Sequence, residues 1–268
     1  MTTMENKYSM LQQAAVLMAL DTGGTIVETV LTFVLSILDS ANSDGALFPM
    51  EAVSHANIYI SWTIWGVRLL IWLLTMVLLS HMADLRKSFG KACIWYFLRI
   101  LTFIVVMMLV NAVTYLRYEH LSDPDAEILF FFGRMILFTL GLNFLLEGLL
   151  LSIGNRSILA AGAELLESFG LKKPAQENRR CGNGLIGFTA AYAILLIFGC
   201  VLLFVLLSWN ELPLFNALET EDARGVLLLL VIAAFLLCFV MWLGMEICRI
   251  LAPIRMNRTY RAIRELSK

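Results

Sequence analysis

Residues Ile58-Tyr-Ile-Ser-Trp-Thr-Ile-Trp-Gly-Val-Arg-Leu-Leu-Ile-Trp-Leu-Leu-Thr-Met-Val-Leu-Leu-Ser80 decide the fold. A helix needs about 20 apolar residues to cross the hydrocarbon core of a bilayer. This run is long enough, and its one charge, Arg68, falls near the midpoint. A guanidinium at that depth is costly unless it meets a counter-charge or water. The stretch therefore places the chain in a membrane and asks what Arg68 pairs with.

Composition agrees. The chain has 268 residues, 60% hydrophobic and 15% charged, with a mean hydropathy of +0.80. A soluble domain is about a quarter charged. A net charge of −1 gives no reason to expect a nucleic-acid partner. The polar start Met1–Met10 lacks a basic leader, so no cleavable signal peptide is expected.

Working outward from Arg68, apolar runs predict spans at about 22–38, 58–80, 92–115, 128–153, 185–208 and 226–251. The first is the least clean. Asp21-Thr22 ahead of Gly23-Gly24 reads as a cap on a fresh helix, leaving residues 1–21 as an interfacial N-terminal segment with a helix over Tyr8–Leu20. The connecting loops settle the count. Loops 39–57, 116–127 and 209–225 are acidic, with Asp39, Asp44, Glu51, Glu119, Asp123, Asp125, Glu127, Glu211, Glu219, Glu221 and Asp222. Loops 81–91 and 154–184 and the tail 252–268 are basic, with Arg86, Lys87, Lys91, Arg156, Lys172, Lys173, Arg179, Arg180, Arg255, Arg258, Arg261, Arg264 and Lys268. Positive charge collects on the cytoplasmic side. The alternation predicts an all-α integral membrane protein, a six-transmembrane-helix bundle with both termini cytoplasmic, in the plasma membrane.

Two short amphipathic helices are expected on the cytoplasmic side. One covers Ser157–Phe169, with Gly170 as its C-cap. The other follows Pro253, where Met256, Tyr260 and Ile263 recur at helical spacing among arginines. Such a segment suits anionic lipid headgroups, the solvated end of the last span, or a protein partner. The sequons at Asn155 and Asn257 would face the cytoplasm and stay unglycosylated.

Depth counting at about 1.5 Å per residue pairs the buried charges. Glu28 and Arg68 both fall roughly 15 Å deep on consecutive antiparallel spans, and are expected to pair. Arg99 and Glu147 match near the inner side, about 10 Å from the surface, and form a second candidate pair. Arg134 has no carboxylate at its level in another span. Asn111 shares that level, and the acidic loop 116–127 lies within snorkelling reach. Glu28, Arg68, Arg134 and Asn111 form the candidate solute site, and the Arg99–Glu147 pair reads as structural.

No phosphate loop or nucleophile elbow occurs. Glu51 with His55, or His120 with Asp123 and Asp125, have spacings a metal could use but form no H-E-x-x-H pattern and read as solvated loop residues. His55, His81 and His120 read as membrane-edge residues, and the five cysteines as buried or unpaired thiols. No cofactor is assigned, and enzyme activity is not expected. The first functional expectation is a transport or permease component handling a small solute, with an anion as the candidate class. The second is a non-catalytic membrane subunit or regulator that binds a protein partner, or its own copy, through the basic loop and tail.

Overall fold

The structure is a computed structural model that describes residues 2–41, 50–119, 148–207 and 221–266. Among the described residues it is helical apart from two tight turns, with no strand. The helices are α1 (Thr2–Ala41), α2 (Met50–Met82), α3 (Lys87–Glu119), α4 (Leu151–Ser168), α5 (Lys172–Leu207) and α6 (Glu221–Leu266). Among the described residues, six helices are long and apolar enough to cross a membrane. The protein is a multi-pass integral membrane protein.

Each helix packs on the next in sequence, and α6 packs back on α1, so the helices close into a ring. Helix α4 also reaches across to α6. Tight turns make α2 and α3, and likewise α4 and α5, antiparallel neighbours. The turn from α2 to α3 closes on Leu85 N–H donating to the Met82 carbonyl at 2.9 Å. The turn from α4 to α5 uses Gly170 at φ +77°, a left-handed conformation that disfavours any other residue type. Gly170 N–H donates to the Glu167 carbonyl at 2.9 Å, and Leu171 N–H to the Leu166 carbonyl at 3.0 Å. This pair of bonds is a Schellman cap, and Gly170 occupies the expected capping position.

Packing is concentrated toward the basic ends of the helices. Buried there are Leu11, Ala14 and Met18 of α1, Ile158, Leu159 and Leu166 of α4, and Ala252, Met256 and Ile263 of α6. Helix α4 is the most enclosed, because α3, α5 and α6 all lean on it. The predicted helix Ser157–Phe169 is therefore the end of an enclosed helix. Asn155 of the first sequon is buried, and accepts a hydrogen bond from the Tyr96 hydroxyl at 3.0 Å. Toward the other ends, Phe33, Ile194, Leu229 and Phe239 stand exposed, as lipid-facing side chains do.

Most of the predicted span 128–153 lies outside the described residues, and two boundaries differ from the sequence reading. Helix α1 passes through Gly23-Gly24 without a break, so the N-terminal segment and the first span form one helix of 40 residues, about 60 Å long. Helix α6 likewise continues through Pro253 to Leu266. The apolar face of the tail is covered by protein. Met256 packs beside Gly162, and Thr259 accepts a hydrogen bond from Asn178 at 2.9 Å. Arg255 is ion-paired with Glu177.

Candidate functional site

Three helices each present one stripe to a common level. On α1 the stripe is Asp21, Thr25 and Glu28; on α2 it is Trp65, Arg68 and Trp72; on α3 it is Tyr96, Arg99 and Phe103. Spacings of three or four residues put each set on one helix face. Arg68 lies 14 residues before the end of α2 at Met82, and Arg99 lies 12 after the start of α3 at Lys87. Those counts place them about 21 and 18 Å along antiparallel helices joined by a tight turn, so they share a level.

Arg68 binds Glu28, the partner that depth counting predicts. Its other terminal nitrogen donates to the Thr25 hydroxyl at 3.0 Å and lies 3.6 Å from Asp21 Oδ1. Arg99 donates to Asp21 Oδ2 at 2.6 Å. The indole N–H of Trp72 donates to Asp21 Oδ1 at 2.8 Å. One carboxylate thus joins two guanidiniums and an indole. Among Asp21, Glu28, Arg68 and Arg99 the charges balance.

The aromatic rings complete the enclosure. The Arg99 guanidinium sits 3.9 Å from the Trp72 ring centre, and Arg68 sits 4.8 Å from that of Trp65. Cation–π attraction reaches about 2 kcal/mol when both groups are desolvated. Trp65 stacks on Phe103 at 5.1 Å, and Trp72 meets the same ring edge-on at 5.8 Å. Asp21, Arg68 and Arg99 are 2%, 1% and 0% exposed. Glu28 is the open end of the cluster, with 24% of its side chain exposed.

Sequence reasoning missed Asp21 and Trp72. It placed Asp21 at a helix start, where a capping carboxylate belongs, and assigned no tryptophan to the buried charges. Trp62 is half-exposed, whereas Trp72 is fully buried. Gly24 has a packing role: a Cβ there would stand 3.3 Å from Arg68 Cγ. The arginine stem lies across the glycine. Replacing Gly24 with leucine is expected to displace Arg68 and cost about 1–3 kcal/mol, the usual penalty for overpacking. A fall in the melting temperature of the purified protein checks this, and an unchanged melting temperature refutes it.

Among the described residues, no other sequence candidate for the solute site joins this cluster. Asn111 is exposed on α3. Arg134 and Glu147 lie outside the described residues, so the Arg99 partner seen here is Asp21. Arg249 on α6 is buried and paired with Glu246 one helical turn before it. Among the described residues, no group of His, Cys, Asp and Glu side chains is placed to hold a metal ion.

No protein-family model, curated protein or solved structure matches this chain. The chemistry of the cluster must speak for itself. Two grooves flank α1, of about 590 Å³ against α2 and about 460 Å³ against α6. Neither is walled by Asp21, Arg68 or Arg99. Among the described residues the cluster joins three helices, with Glu28 at its open end.

Proposed function

We propose that the protein is a non-catalytic multi-pass membrane component with both termini cytoplasmic, whose buried charges lock α1, α2 and α3 in register. The observation that carries this reading is the burial of Asp21, Arg68 and Arg99 around one shared carboxylate. Arg68 already has Glu28, Thr25 and Asp21 as ligands. Buried ionic groups of this kind serve register and specificity better than net stability. The basic loops and tail support the orientation, and their exposed arginines, Arg258 and Arg261 among them, support a role beside other membrane components.

A transport role is the second reading, and one feature favours it. Glu28 is partly exposed beside a buried arginine, so a bundle that opened there would offer guanidinium to an anion. Two measurements separate the readings. The lock predicts a coupling of about 1 kcal/mol between Arg68→Met and Glu28→Leu in a double-mutant cycle on thermal stability. A plain exchange of the two charges is a poor test, since it brings a carboxylate toward Asp21. The second measurement is flux in proteoliposomes loaded with chloride or inorganic phosphate. The lock predicts leakage equal to empty vesicles. An anion current lost in Arg68→Met overturns it in favour of transport.

A further inference from the structure

The groove between α1 and α6 runs from Gln12 and Asn257 at the basic end to Ile26 and Ile250. Gln12 to Ile26 is 14 residues of helix, about 21 Å. One leaflet's hydrocarbon is about 15 Å deep, which leaves a few ångströms for a headgroup. The polar side chains are at one end only. Beyond them the walls are apolar, including Val16, Ala19 and Ile254. Thr22 also lines the groove, but its hydroxyl donates to the Met18 carbonyl at 2.9 Å and leaves its methyl to the groove. A volume of about 460 Å³ lies within the usual range for a bound small molecule.

Charge continues the pattern past the polar end. Residues 250, 254 and 257 line the groove, and the next step of the same helical stripe is Arg261, flanked by Arg258. Both arginines are exposed, and neither has an ion-pair partner among the described residues. An occupant that matches the whole site has a long apolar chain and a negative head. We propose that the α1–α6 groove binds an anionic phospholipid of the inner leaflet, with its acyl chain along Val16, Ala19 and Ile254 and its phosphate at Arg258 and Arg261. The inner-leaflet assignment rests on the cytoplasmic orientation proposed above. The site itself does not depend on the helix-lock reading.

The test uses the full chain in lipid-free detergent, with phosphatidylglycerol or phosphatidylcholine added. Phosphatidylglycerol is expected to raise the melting temperature by about 5 °C, and phosphatidylcholine much less. The double substitution Arg258→Ala/Arg261→Ala should abolish the difference between the lipids. Ala19→Trp, which fills the groove, should abolish the response to both. Native mass spectrometry gives a second reading: retained phosphatidylglycerol in the unsubstituted protein, lost in each variant that still folds. Equal shifts from both lipids, or a shift that survives both variants, overturns the proposal. A lipid-independent dimer lost in Ala19→Trp overturns it too, and assigns the groove to a second copy of the chain. Labelling of Lys268→Cys by an impermeant maleimide reports orientation separately. Labelling in intact cells with the lipid response unchanged would sink the orientation and leave the site standing.

Discussion

Replacing Asp21 by alanine is expected to be the most damaging single change in the membrane-embedded part of the protein, at about 3–5 kcal/mol. Its carboxylate serves Arg99, Arg68 and Trp72 together, and all four groups are buried. Removing one side of a buried ion pair costs that much because the other charge keeps its desolvation penalty. The cost of an arginine at the centre of a spanning helix gives a second estimate, about 2.5–3.5 kcal/mol. The two agree near 3 kcal/mol. Asp21→Asn keeps an acceptor for the Trp72 indole, and should fall between alanine and the unsubstituted protein. Glu28→Gln should cost least. Glu28 is 24% exposed, and Arg68 still has Thr25 and Asp21. Melting temperatures in one detergent, ranked Asp21→Ala below Asp21→Asn below Glu28→Gln, check the scheme. If Glu28→Gln is the most damaging, the centre of the cluster has been misassigned.

The contrast between Glu28 and Asp21 also shows what could be read without coordinates. Glu28 was found because it lies well inside an apolar run and matches Arg68 in depth. Asp21 precedes two glycines, and local propensity makes Asp-Thr-Gly-Gly a helix boundary. Tertiary packing overrides that preference here, since Gly24 is where the Arg68 stem crosses α1. The missed signal was periodic: Asp21, Thr25 and Glu28 are spaced i, i+4, i+7, one stripe of an unbroken helix. The related spacing i, i+3, i+7 joins Trp65, Arg68 and Trp72 on α2. Helix number was legible because loop charge and span length are one-dimensional quantities. The Glu28–Arg68 pair was legible from depth, but the sharing of Asp21 by Arg68 and Arg99 was not, because depth fixes a level along the membrane normal and leaves open which helices are neighbours at that level.

The tail marks the same limit at the other end of the chain, and the second large effect is expected there. Arginines spaced among Met256, Tyr260 and Ile263 read as a segment for lipid headgroups, the solvated end of the last span or a protein partner, none of which assigns the tail to the core. In the structure α6 does not stop at the membrane. Ala252, Met256 and Ile263 are 0% exposed, and Thr259 is 1% exposed. They close the basic end of the bundle against α4 and α5, with Met256 on Gly162 and Thr259 on Asn178. Truncating one such methionine or isoleucine to alanine costs about 2–5 kcal/mol. Folded proteins have about 5–15 kcal/mol in all. Removing residues 252–268 takes away Met256 and Ile263 together, along with the Arg255–Glu177 pair and the Asn178 hydrogen bond. The truncated chain should therefore fail to give a monodisperse, cooperatively melting protein, whereas Glu265→Ala, at an exposed position, should leave the melting temperature within error. Size-exclusion chromatography and thermal melts of the two variants decide it. A truncated chain with the full-length melting temperature would restore the tail to a docking arm. Loss of the fold makes it the last wall of the helical ring, with only its arginine face left for membrane lipids.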